Sequence, residues 1–221
     1  SGAYREPGPA HLSLYLGFAG IDITTHGAER HCQWYYESWD AETIGWDVSP
    51  NSEPGSAPVM FCSFPSVKDP RHEPGQQLRH TGEAITFVPW EPFSKWKDAR
   101  WKRRGPEYED FKSRLADALL TQYKATYPDL APHVEHAELS TPVSTHHFTS
   151  APHGSIYGLA TEPDRFDDDT LLPETSISGL YLSGADVSTP GVAGALMGGV
   201  LAAVATSPVA GARFVRRMMA P

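Results

Sequence analysis

Four apolar segments in the first ninety residues predict β-strands, and the first of them follows the two-residue period of a half-buried strand. They cover residues 11–18, 33–39, 59–64 and 84–89. Polar stretches such as residues 49–56 and the loop at 68–82 separate them. Short alternating segments between such stretches are typical of strands. Because little helix pattern lies between them, the four strands predict a largely antiparallel sheet with one face covered.

Aromatic side chains are concentrated on these predicted strands. The five that stand out are Trp34, Tyr35, Tyr36, Phe61 and Phe87. Packing in the core is the ordinary role of any one of them, but together they could also line a long apolar cavity. Both interpretations stay open on the sequence alone.

The clearest helix pattern covers residues 106–127. Gly105 and Pro106 suit its start, acidic residues follow in its first turn, and Pro128 ends it. Apolar residues recur on one face at helical spacing: Tyr108, Phe111, Leu115, Leu119 and Tyr123. A further short strand is predicted at residues 132–139.

Basic residues and two tryptophans alternate at 95–104, just before this helix. The set comprises Lys95, Trp96, Lys97, Arg100, Trp101, Lys102, Arg103 and Arg104. Such a segment could dock on an anionic membrane surface, or it could be a solvated face whose tryptophans pack inward. The expected location is cytoplasmic, with peripheral membrane contact through residues 95–104 under the first interpretation.

Near its end the chain predicts an apolar strand at residues 179–183, a turn through Asp186, and a glycine-rich helix. The first N–H groups of a helix lack intrahelical partners and carry the positive end of its dipole. Gly191 and Gly194 keep side chains away from that start, and Asp186 can accept hydrogen bonds from sugar-like hydroxyls. The same glycines also suit a tightly packed helix, so spacing alone does not decide.

The helix beginning near Val192 is the one candidate for a membrane span. It would reach only about 23 Å before Pro208, against roughly 30 Å of hydrocarbon. We therefore expect a buried helix.

Two sequence blocks resemble the flavin region of a known family. One is the strand and turn followed by TPGVAGALMGG at residues 189–199, and the other runs from TPVS at 141–144 through APHGSIYG at 151–158. In this order they are similar to the C-terminal part of the FAD-dependent oxidoreductases of the phytoene desaturase, carotenoid isomerase and retinol saturase family.

The resemblance implies an α/β fold: a mainly antiparallel-sheet substrate domain with helices at residues 1–140, and at 141–221 the C-terminal strand-helix segment of a two-dinucleotide-binding-type FAD domain. It implies desaturation, saturation or isomerisation of an unsaturated apolar substrate, carotenoid-like, retinoid-like or otherwise long-chain. The implied cofactor-binding residues are Gly184, Asp186, Pro190, Gly191, Val192, Ala193, Gly194, Gly154 and Tyr157.

Proteins of this family open with a strand, a Gly-x-Gly-x-x-Gly turn and a helix that hold the FAD pyrophosphate, and no such motif occurs in the chain. We therefore expect a C-terminal portion whose partner is a missing N-terminal dinucleotide-binding half. Alone it should neither retain FAD nor be active. The alternatives are a non-catalytic substrate-binding or interaction module, and an amine-oxidase-like flavoenzyme.

The catalytic acid or base is not identified by the pattern. His147 and His153 are candidates for a proton shuttle, and we expect His146 and His147 on a strand, so that at most one faces a given site. Two cysteines without paired spacing and the acidic turn at 167–169 predict no metal site. A net charge of −9 argues against nucleic acid as a partner.

Overall fold

Five antiparallel strands form a sheet within the computed structural model, which describes residues 5–39 and 45–218. They are β1 (Ala10–Phe18), β2 (Gln33–Tyr36), β3 (Val59–Ser63), β4 (His80–Val88) and β5 (Val134–Ser140). Their spatial order is β2-β3-β4-β1-β5. The predicted α/β class and the antiparallel sheet are confirmed. The helices are α1 (Pro65–Lys68), α2 (Pro106–Thr126), α3 (Pro142–Thr149), α4 (Gly191–Thr206) and α5 (Pro208–Met218).

The chain divides into two units. The first unit, which we call the sheet unit, consists of Pro9–Ser155. The second, which we call the C-terminal unit, consists of Ile156–Pro221 together with the residues up to Gly8. Residues 141–155, grouped above with the FAD segment on the strength of the resemblance, lie in the sheet unit. The functional division at residue 140 stays a prediction.

One face of the sheet is buried, and we call it the inner face. Successive side chains of a strand point to opposite faces, so Leu12, Leu14, Leu16 and Phe18 of β1 lie on the same side, and all four are buried. Leu14 pairs directly with Ala84 of β4 and Leu139 of β5. These residues belong to the hydrophobic core that α2 completes.

Helix α2 covers the inner face with the five residues that the sequence predicts. Tyr108, Phe111, Leu115, Leu119 and Tyr123 are all buried. Gly105 precedes the helix with a φ of +89°, a conformation that glycine adopts without strain, and Pro106 follows as its first residue. The predicted helix and its buried face are confirmed.

Two predictions about local structure in the sheet unit are wrong. Strand β4 begins at His80, inside the loop expected at 68–82, because β1 pairs with it as far as Phe18 opposite His80. His146 and His147 lie on α3 and not on a strand. Helix α3 starts there because Thr141 is extended and its carbonyl oxygen accepts hydrogen bonds from the backbone N–H groups of Ser144 and Thr145.

The strand predicted at residues 179–183 is also absent from the described part of the C-terminal unit. Tyr181 makes an isolated bridge with Glu174, and the N–H of Leu182 donates to the carbonyl of Pro173. A strand needs a neighbour along its length to pair its backbone groups. Among the described residues of this unit, Pro173 and Glu174 provide that neighbour for Tyr181 and Leu182 alone.

Helix α4 is not buried all round, contrary to the expectation. Its covered side carries the small residues Gly194, Gly198 and Ala202, while Val192 is 90% and Leu196 67% exposed. The covered side meets the preceding loop and α5. No helix in the described parts of the chain combines the length and apolarity that crossing a membrane requires.

Substituting Leu119→Ala should lower the free energy of unfolding of the sheet unit by about 2–5 kcal/mol, because the side chain is fully buried and its loss leaves a cavity. Chemical denaturation followed by circular dichroism measures the change. Lys124→Ala on the exposed side of the same helix is the control, with an expected effect within about 0.5 kcal/mol. Equal effects of the two substitutions would contradict the packing of α2.

Substituting Gly194→Ala should destabilise the C-terminal unit, because a Cβ there would lie 1.7 Å from the carbonyl oxygen of Thr189. Overpacking of this kind costs about 1–3 kcal/mol. Gly199→Ala is the matched control: its Cβ meets nothing closer than 3.9 Å, so improved helix propensity should add about 0.5–1 kcal/mol. Scanning calorimetry compares the variants, and a stable Gly194→Ala protein would contradict the close contact.

Candidate functional site

Asp186 joins two segments of the C-terminal unit. It lies in a short 3-10 turn, Ala185–Val187, and its Oδ1 accepts a hydrogen bond of 2.9 Å from the N–H of Leu159. Gly158, with a φ of +79°, lies against the same carboxylate, where a Cβ would come within 2.3 Å of Oδ1. Gly158, the last residue of the family-like block at residues 141–158, therefore contacts Asp186, whose turn lies just before residues 189–199 of the other block.

Arg165 holds this arrangement and was missed in the sequence. It is buried, and its guanidinium donates to the carbonyl oxygens of Leu159 at 2.8 Å and Ala185 at 2.7 Å. It also lies 3.7 Å from Oδ1 of Asp186. One feature of the sequence could have drawn attention to Arg165: no other lysine or arginine occurs between residues 161 and 212.

The start of α4 lies just after this turn. Pro190 is the N-cap residue, and no described side chain caps the helix. Gly191 has a φ of +89°, and nothing lies within 4 Å of the position its Cβ would take. Val192 and Ala193 are exposed. The first N–H groups of the helix are thus open to an electron-rich group, which the helix dipole would favour.

The two roles that the sequence left open for the glycines fall on different residues. Gly194 packs against Thr189, and Gly198 packs against Gly184, where a Cβ would lie 1.9 Å from the carbonyl oxygen. These glycines let the loop lie directly on α4. Gly191 instead leaves space at the helix start.

Two further predicted cofactor residues lie in different units. Tyr157, in the C-terminal unit, has a left-handed φ of +68° and an exposed side chain next to Gly158. Gly154, in the sheet unit, has a φ of +59° and packs so closely that a Cβ would lie 2.1 Å from the carbonyl oxygen of Pro142. Contact of either residue with a cofactor stays a prediction.

The candidate histidines each stack on a tryptophan. His153, with a φ of +55°, lies parallel to Trp90 at 5.6 Å, and His147 lies parallel to Trp101 at 6.2 Å. His146 places Nδ1 2.8 Å from the carbonyl oxygen of Ala151. Because a carbonyl only accepts, Nδ1 of His146 carries a proton. Proton transfer by His147 or His153 stays a prediction.

The second face of the sheet, which we call the outer face, carries aromatic side chains. Trp34, Phe61 and Ile85 are direct cross-strand neighbours and so share it. The Trp34 ring meets that of Phe61 at 4.9 Å and stacks with that of Tyr36 at 6.4 Å. Trp34 and Tyr36 remain 49% and 57% exposed. Among the described residues, these strands thus present an apolar surface.

Tyr35 and Phe87 complete the set of five aromatic residues. Tyr35 points to the inner face, where its ring meets Tyr127 at 5.7 Å and its hydroxyl donates to that of Tyr127. Phe87 lies on the outer face with its cross-strand partner His11. The Nδ1 atom of His11 is buried and has no hydrogen-bond partner among the described residues. Burial lowers the pKa of His11, so this imidazole is a neutral polar group beside Phe87 on the outer face.

The structure of the basic segment at residues 95–104 agrees in part with each of its two interpretations. Trp96 is buried and meets Tyr108 and Phe111 of α2. Trp101 is exposed, and the ammonium of Lys102 lies 4.6 Å from its ring. Membrane contact through residues 95–104 stays a prediction.

The acidic turn at 167–169 is organised by one of its residues. Asp168 accepts hydrogen bonds from Thr170 and from the guanidinium of Arg5. The Thr170 contacts, followed by the Arg5 contact, lower the pKa of Asp168 to about 2. No group of three metal-ligating side chains occurs within the ranges 5–39 and 45–218.

Comparison with known proteins gives one consistent group of relatives. No protein-family model matches the chain. The all-trans-retinol 13,14-reductase of Danio rerio is 29% identical over 202 residues, which are 87% of this chain and 33% of the relative. The Homo sapiens protein of the same name is 28% identical over 201 residues, 89% of this chain and 33% of the relative. A second Danio rerio protein, named inactive all-trans-retinol 13,14-reductase, is 33% identical over 158 residues, 68% of this chain and 25% of the relative.

The chain thus spans about a third of the length, or less, of the curated relatives it matches. The retinol saturase part of the family resemblance and the C-terminal position are both confirmed. The chain is a homologue of the all-trans-retinol 13,14-reductases, or retinol saturases, and corresponds to their C-terminal third.

Proposed function

We propose that the chain is the C-terminal part of an FAD-dependent oxidoreductase that acts on an unsaturated apolar substrate, retinoid-like, carotenoid-like or otherwise long-chain. The reaction would be a desaturation, a saturation or an isomerisation. The observation that carries the proposal is the open start of α4 beside Asp186, in a homologue of proteins named for reducing retinol.

The residues around Asp186 fit the flavin-ring half of FAD. Asp186 would accept hydrogen bonds from ribityl-type hydroxyls, and the N–H groups of residues 191–194 would face an electron-rich ring edge. Bound FAD would supply hydride or electron transfer, which no protein side chain provides. Gly184 and Pro190 would shape the loop that carries these groups.

The outer face of the sheet fits the apolar substrate. Trp34, Tyr36 and Phe61 offer a contiguous aromatic surface, and His11 lies on the same face with a buried Nδ1 that has no partner among the described residues. Sites for apolar ligands combine such surfaces with a few polar groups that fix orientation. Proton transfer would fall to His147 or His153, beside the segment that contains Gly154.

The missing N-terminal dinucleotide-binding half would cover the exposed side of α4. Val192, Leu196 and Met197 form an apolar surface that is unusual for a solvated helix. The chain spans about a third of its relatives, so a larger polypeptide is the occupant that fits.

Two other functions remain for the isolated chain. One relative carries the word inactive in its name, which favours a non-catalytic substrate-binding or interaction module as the second candidate. An amine-oxidase-like flavoenzyme is the third. Turnover of polyene and amine substrates by the complete protein would distinguish all three.

Flavin content tests the proposal. The chain alone should purify without the visible flavin absorbance bands, and the chain joined to or co-expressed with the polypeptide that precedes it should show them. In that complete protein Asp186→Asn should weaken FAD retention at least about tenfold, because a charged hydrogen-bond acceptor is lost while the contact with Leu159 can persist.

Asp169→Asn, at an exposed carboxylate in the same unit, is the control and should leave flavin content unchanged. Stoichiometric flavin on the chain alone would contradict the missing half. A complete protein that binds no flavin would contradict the cofactor itself.

Truncation at the outer face should affect the substrate and not the cofactor. Trp34→Ala in the complete protein should lower kcat/KM for a polyene substrate about tenfold or more, because loss of a large aromatic contact with the bound substrate removes about 1.4 kcal/mol or more. Steady-state kinetics with the flavin content measured in parallel give the result. Phe166→Ala, at an exposed ring of the C-terminal unit, is the control, and equal effects would argue against the outer face.

A further inference from the structure

A groove of about 480 Å³ lies at the β5 edge of the sheet unit. Its walls come from β1, β5, α3 and the start of α2 with the segment before it. Its volume falls in the range of small-molecule sites. All its lining residues belong to the sheet unit.

Arg104 lines this groove and is only 9% exposed. Its guanidinium donates to the hydroxyl of Tyr108 at 3.2 Å and to the carbonyl oxygen of Val143 at 3.1 Å. Both acceptors are neutral, and Nε has no hydrogen-bond partner among the described residues. No carboxylate in the described part of the chain forms an ion pair with it. A buried cation without an anionic partner is costly, which leaves an electrostatic need that an anion would meet.

The remaining charges of the groove have the same bias. Lys102 and Lys112 join Arg104 against Glu109 and Glu138, so the lining has three basic and two acidic side chains. This excess of positive charge occurs in a protein whose net charge is −9. The hydroxyls of two serines, Ser140 and Ser144, add neutral hydrogen-bonding groups.

One side of the groove is apolar. Trp101 and Phe148 meet edge to face at 5.2 Å, and both rings are exposed. An aromatic pair beside a cluster of cations suits a ligand with an apolar body and an anionic head.

We propose that this groove binds a small organic anion, with its carboxylate or phosphate head on Arg104 and Lys112 and its apolar body on Trp101 and Phe148. A membrane surface would be met by exposed side chains. Arg104 is instead nine-tenths buried, which favours a ligand that enters the groove. This proposal does not depend on the flavin.

Isothermal titration of the protein with decanoate, decyl phosphate and decanol, each below its micelle concentration, tests the proposal. The two anions should bind, and decanol, which has the same chain without charge, should bind at least about tenfold more weakly. The relative affinities of the two anions distinguish a carboxylate site from a phosphate site. Trp101 fluorescence should change on binding, and Trp101→Phe should abolish that change.

Two variants separate binding from folding. Lys112→Gln removes a partly exposed cation and should weaken anion binding about tenfold with little effect on stability. Arg104→Gln should weaken it further, and a circular-dichroism melt reports whether that variant is folded. Lys124→Gln, at an exposed position on the same helix, is the matched control.

Equal affinity for decanoate and decanol would overturn the proposal. It would also be overturned if Lys112→Gln bound the anions like the parent protein. Binding to anionic vesicles without any binding of decanoate or decyl phosphate would replace it with a membrane-docking role.

Discussion

The direct backbone contact between α4 and the loop before it is the constraint on which the candidate flavin site depends. Gly194 and Gly198 carry no side chains, so the carbonyls of Thr189 and Gly184 rest on the helix itself. A loop held this closely brings Asp186 and the uncapped start of α4 into one short stretch. With side chains at those two glycines the loop would have to move away. The packing of these glycines therefore also positions the residues of the candidate flavin site.

In the sheet unit the corresponding constraint is the strict alternation of the strands. Helix α2 takes the inner face with five buried side chains, so the aromatic residues of opposite parity must lie on the outer face. Tyr35 follows the same alternation. It is the residue after Trp34, so it points to the inner face, where its hydroxyl donates a hydrogen bond to that of Tyr127. Burial on this face also raises the pKa of the neighbouring Cys62 thiol to about 12. The outer face is left with Trp34 and Tyr36 exposed.

The sequence predicts best what depends on local periodicity. The strands, α2 and its buried face follow from the two-residue and 3.6-residue periods and from the Gly105-Pro106 start. It fails where pairing partners decide: β4 extends because β1 offers a partner up to Phe18, and residues 179–183 do not form a strand because their unit offers them so little to pair with. The family-like blocks locate Asp186 and Gly191, but nothing in their spacing reveals Arg165, whose acceptors are the backbone carbonyls of Leu159 and Ala185, on either side of it in the chain.

The two buried arginines differ in how their charge is balanced, and this difference bears on both sites. Arg165 lies 3.7 Å from the carboxylate of Asp186, so a negative charge within the same unit compensates it. That contact and the N–H of Leu159 both engage Oδ1, which leaves Oδ2 as the oxygen of Asp186 with no partner among the described residues. Arg104 has neutral acceptors alone within the described chain. The charge of Arg165 is therefore balanced by a carboxylate of its own unit, whereas that of Arg104 has no anionic partner among the described residues, which is the basis for the proposed anion site.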